Sequence, residues 1–123
     1  MADAPSLVYG RMTTEGAMDG LDARRRASEE AWVRSEERRV RLRAARDVHL
    51  ANAAAARLGM TPAEAGAFAA SVAAWRPSDG APRDAGLVAH VRDRLSRGGV
   101  DAGLEEVARM LREAEAAAAR GEP

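Results

Sequence analysis

The chain has 123 residues, with 19 basic and 19 acidic side chains and a formal net charge of zero. That length holds one small domain with extensions, and the charge balance favours neither nucleic acid nor an anionic membrane as partner. Cysteine is absent, which removes disulfides, thiol catalysis and cysteine zinc sites and agrees with a reducing cytosol. Every basic residue is arginine and alanine is abundant throughout, as a GC-rich coding sequence would give.

Residues 1–17 mix Pro5, Gly10, Thr13, Thr14 and Gly16 with few apolar side chains and are expected to form a disordered extension. They carry one basic residue, Arg11, and no apolar run, so they match neither a secretory signal nor a membrane span. No window in the chain approaches the roughly 18 apolar residues of a membrane helix. A soluble protein is expected, without direct membrane insertion.

From Asp22 to Leu58 there is neither glycine nor proline, and Gly59 follows where a helix cap belongs. One helix over that span would reach about 55 Å. Its two halves differ. Trp32 and Val33 are the only large apolar residues up to Arg39, whereas Val40, Ala44, Val48, Ala51, Ala55 and Leu58 then recur at helical spacing. A helix takes most of its stability from one packed apolar face, so the first half is expected to find its partner in another molecule. Residues 18–39 are accordingly read as a partner-binding arm and 40–120 as a bundle domain. The arm's helicity should be helped by (i, i+4) pairs at Asp22/Arg26, Glu30/Arg34 and Glu37/Arg41, with a break expected, if anywhere, in the 36–46 region. Trp32 as a core residue would stand alone among charges; as an interface anchor it is of the type that dominates binding hot spots.

Thr61-Pro62-Ala63-Glu64 is a capping box with proline at the first helical position. The second helix should bury Ala65, Phe68, Ala69, Val72 and Trp75 and end at Arg76-Pro77. After a loop over 78–83, a third helix from about Asp84 to Arg97 presents Leu87, Val88, Val91 and Leu95 and stops at Gly98-Gly99. A fourth, from Asp101 or Gly103 to Arg120, presents Leu104, Val107, Leu111, Ala114 and Ala118. Nothing alternates with period two. The fold class is all-α, a small four-helix bundle with a long, partly exposed N-terminal helix.

No catalytic constellation appears, so a non-enzyme without cofactor is expected. Gly98-Gly99 is a helix stop rather than a phosphate cradle. His90 and Asp93 share an (i, i+3) spacing, but a metal would need further ligands, and His49 and His90 are read as structural. The run Arg34–Arg46 sets six arginines against Glu36 and Glu37. It lacks the interleaved aromatics of a nucleic-acid surface and reads as a solvated helix face or as a match for an acidic protein surface.

Met18, Leu21, Asp22 and Arg24, then Ala27, Glu29 and Trp32, then Glu36 and Glu37 follow one another in an unbroken register. Ala44 and Arg46 come next, and Ala54, Ala55, Leu58 and Gly59 close the helix; Gly99-Val100-Asp101 precedes the last one. In this register the chain, from Met18 to about Ala119, resembles the zeta inhibitor subunit of the F-type ATP synthase of alphaproteobacteria. Leu21 stands where that family has phenylalanine and Val40 where it has another. Ser28 replaces an apolar or aromatic residue, Ser35 an aspartate, Ala45 an arginine and Asp47 an asparagine. The resemblance implies a cytoplasmic protein associated peripherally with the membrane-bound enzyme. Its N-terminal segment, about Met18–Glu37 here, would insert as a helix at an α/β catalytic interface beside the central stalk and block rotation during hydrolysis. Leu21 and Trp32 would be the buried anchors and Arg24, Arg25, Glu29, Glu36 and Glu37 the polar contacts. The alternatives are a paralogue of the same fold serving another protein, or an adenine-nucleotide sensor using Arg43 and Arg46.

Overall fold

The computed structural model describes the backbone of residues 3–123, with side chains from Asp19 onward; of the extension expected to be disordered over 1–17, residues 1–2 lie outside the described residues and the backbone is helical from Asp3. Among the described residues there are four helices, α1 (Asp3–Leu58), α2 (Pro62–Ala74), α3 (Arg83–Arg97) and α4 (Leu104–Ala119), and no strand. The chain divides into two compact units, Met1–Arg39 and Val40–Pro123. Helix α1 begins at Asp3, well upstream of the start expected at Asp22, and it continues without a break through 36–46.

In the second unit, fourteen buried side chains from all four helices and the α3–α4 turn form one core. Leu50, Ala51, Ala54 and Ala55 come from α1, Phe68 and Val72 from α2, Leu87, Val91 and Leu95 from α3, and Val107, Met110, Leu111 and Ala114 from α4. Alanine supplies most of the α1 contribution, so helices approach closely there while each contact buries little apolar area.

The face of α1 differs from the expected one. Ala51 and Ala55 are buried and Leu58 half-buried, but Val40, Ala44 and Val48 are exposed, and the covered stretch opens at Arg46 and Asp47. Length explains this. Helices of 13, 15 and 16 residues measure roughly 20–24 Å at 1.5 Å per residue. They can cover only about that much of α1, and the stretch from Arg46 to Leu58 has the matching length. Val40 and Ala44 continue the core face past the end of the cover, while Val48 lies one position round from it. Leu104, expected inside, is likewise half-exposed at the first residue of α4, and Met110 takes a buried position in its helix.

Helix ends follow local chemistry. Thr61 Oγ1 accepts from the Glu64 N–H at 3.2 Å while the Thr61 N–H donates to Glu64 Oε1 at 2.9 Å, closing the capping box. Hydrogen bonding by Thr61, its backbone N–H first and its side chain second, holds the Glu64 carboxyl below its ordinary pKa. At the end of α1, Gly59 takes φ 66°, so that its own N–H reaches Ala56 O and the Met60 N–H reaches Ala55 O. Gly99 closes α3 in the same way, with its N–H on Ser96 O and that of Val100 on Leu95 O. Such a left-handed cap is open to glycine at almost no steric cost.

Candidate functional site

Side chains of the arm are exposed or nearly so throughout. Leu21 is 61% exposed, Trp32 65% and Val33 45%, although each would gain by leaving water. At 100° per residue, Leu21 and Trp32, eleven positions apart, fall within about 20° of each other, and Arg25, Glu29 and Glu36 complete a strip about 80° wide. Arg24 and Glu37 flank it. Five of the seven expected contact residues therefore share one face, with two large apolar groups on it and charges between them.

The expected (i, i+4) pairs of the arm do not form. The bridges are instead (i, i+3): Arg25 to Asp22 at 2.9 Å and Arg39 to Glu36 at 3.0 Å. Both are solvent-exposed and contribute little to stability, but they order Arg25 and Glu36 on the strip. Arg26, Glu29, Glu30, Val33 and Arg34 rim a shallow, open depression beside it.

A second polar constellation lies inside the bundle. Arg46 is 7% exposed and Asp47 3%. Arg46 donates from Nε and Nη2 to Asp47 Oδ1 at 3.1 and 3.0 Å, and from Nη1 and Nη2 to the two oxygens of Asp84 at 3.0 and 3.1 Å. Arg83 Nη2 lies 3.0 Å from the other Asp47 oxygen. Two cations and two anions thus alternate across α1 and α3. Burial alone would lower the Arg46 pKa, yet the hydrogen bonds of Asp84 and Asp47 outweigh it and the net shift is upward.

Arg83 also caps α2. It donates from Nε to Trp75 O at 3.0 Å and from Nη2 to Val72 O at 2.9 Å, supplying the donors that the last carbonyls of a helix lack. Its Nη1 is buried without an acceptor among the described residues. The donors of Arg46 are therefore engaged by carboxylates, which leaves the nucleotide reading without its inner cation; Arg43 is exposed. The signal for this network was available as two Arg-Asp dipeptides, 46–47 and 83–84.

Both histidines sit in structural contacts. His90 stacks on Trp75 with ring centroids 5.0 Å apart, and burial, with Arg97 adding and Asp93 opposing, holds its pKa below the ordinary value. His49 Nε2 lies 2.9 Å from Glu122 O. Among the described residues no helix is long and apolar enough to cross a membrane.

With the exposed strip and the closed bundle both established, comparison of the sequence with known families is informative. The profile of the ATPase inhibitor subunit zeta family matches residues 18–121. The chain belongs to that family. The match takes in the described arm and the whole bundle, and it starts at Met18, after the expected extension. Neither the curated proteins nor the solved structures contain a match. Within this zeta-family chain, the arm leaves Leu21, Trp32 and Val33 with exposed apolar surface, whereas the bundle's buried charges are matched internally.

Proposed function

We propose that this zeta-family chain is a non-enzymatic inhibitor of ATP hydrolysis by F-type ATP synthase. Its arm, about Met18–Glu37, docks as a helix at an α/β catalytic interface beside the central stalk and stops the rotor from turning in the hydrolysis direction. The observation that carries this reading is the pairing of Leu21 and Trp32 on one strip of a helix, both about two-thirds exposed. Apolar anchors ringed by charge are the pattern of an interface hot spot with its rim.

Arg24, Arg25, Glu29, Glu36 and Glu37 would set register and speed encounter more than they would add affinity. Because the arm is helical before it docks, less ordering entropy is spent on binding than by a segment that folds on contact. The assay is ATP hydrolysis by the purified cognate enzyme as the chain is titrated in. Hydrolysis should fall, and Trp32→Ala should raise the half-inhibitory concentration by about 30-fold or more, a hot-spot loss of ~2 kcal/mol. Exposed Trp32 leaves the bundle's melting temperature unchanged when removed. No inhibition by the wild-type chain would end the proposal.

A further inference from the structure

Val40 and Ala44 continue the core face of α1 beyond the covered stretch, and Val48, beside the buried face within that stretch, extends the same four-residue spacing; all three are exposed, Val40 at 62% and Val48 at 42%. Steps of four advance by about 40° on a helix, so the three lie along one gently winding stripe. Arg41 and Arg43 flank it on opposite sides, both exposed. Among the described residues neither has a carboxylate partner, whereas Arg46, about one turn on, is fully engaged.

We propose that this stripe is a second docking surface, taking an acidic protein segment with an apolar ridge on the same catalytic head that receives the arm; it rests on the inhibitor reading for the identity of that head. Two unpaired guanidiniums bracketing an apolar seam call for carboxylates bracketing an apolar ridge. A second copy of the chain fits poorly, since docking stripe on stripe would set Arg41 and Arg43 against their own kind. A membrane surface fits no better: interfacial helices bury tryptophan, phenylalanine or leucine, and this seam is valine and alanine. Nucleic acid would look for an aromatic to stack on, and the seam has none.

The test is binding of the full chain to the immobilised catalytic head, at low and moderate salt, for wild type, Val40→Asp, the double variant Arg41→Glu/Arg43→Glu, and Trp32→Ala. Helicity and melting temperature are read alongside and should not move, because the substituted side chains are exposed. Both stripe variants are expected to weaken binding by about tenfold or more, the arginine pair mainly through slower association and a flatter salt dependence. If both bind within about twofold of wild type while Trp32→Ala is impaired, the stripe is not a docking surface and the arm reading survives. If the wild type does not bind the head at all, both readings fall together. Binding of wild type, but not of the double variant, to anionic phospholipid vesicles, with head binding equal for the two, would also overturn the proposal and assign the arginines to lipid.

Discussion

A guanidinium that has lost its water must find its charge complement inside the protein, and Arg46 finds it in Asp47 and Asp84. Removing Arg46 leaves buried Asp47 with Arg83 alone and returns the exposed Asp84 to water, and breaking a buried charge pair costs more than the pair adds over apolar residues of the same shape. Arg46→Ala should therefore destabilise the bundle by about 3 kcal/mol in urea unfolding, while Arg38→Ala, on an exposed arginine of the same run, should change it by less than about 0.5 kcal/mol. The sequence shows both as members of one basic run; only burial separates them, and burial depends on which helix lies opposite.

His90 carries a second residue-scale consequence. Its folded-state pKa is lowered chiefly by burial, so the unfolded chain takes up the proton more readily than the native one. Stability is then complete above the ordinary histidine value and declines as pH falls through the folded pKa. Melting temperatures measured across that window should drop for the wild type and less steeply for His90→Gln.

At the scale of elements, α2, α3 and α4 were legible because their boundaries are written in local chemistry: a capping box, a proline after Arg76, and glycines that close α1 and α3. The face of α1 was legible only in part. Periodicity marks Val40, Ala44 and Ala51 alike, but cannot say how far three shorter helices extend over a longer one. Likewise the arm's ion pairs depend on rotamers, which choose (i, i+3) over (i, i+4) partners. The exposed strip with Trp32 could be read from sequence for a simple reason: too few apolar residues surround it to build a core.

Gly86 shows how one element shapes another. A Cβ there would lie 2.7 Å from the Trp75 ring, and His90, one turn further along α3, takes the same ring in a stack. Alanine at position 86 gains helix propensity of up to ~1 kcal/mol, against overpacking of about 1–3 kcal/mol. Gly86→Ala should therefore be net destabilising in urea and should shift the Trp75 fluorescence as the indole is displaced. Trp32, exposed in the arm, supplies an unchanged background.

For the whole molecule, the two units differ in what they can do alone. Val40–Pro123 contains a core drawn from four helices together with a matched set of buried charges, so it carries its own reasons to fold. The arm has side chains that remain in water and no core of its own. This division of labour is the central claim: stability resides in the bundle, inhibition in the arm. The most direct measurement compares the full chain with a variant lacking residues 1–36, in the hydrolysis assay and in thermal unfolding. The truncated protein is predicted to melt cooperatively at close to the full-length temperature and to leave ATP hydrolysis uninhibited; inhibition by the truncated protein at the full-length concentration would contradict the account.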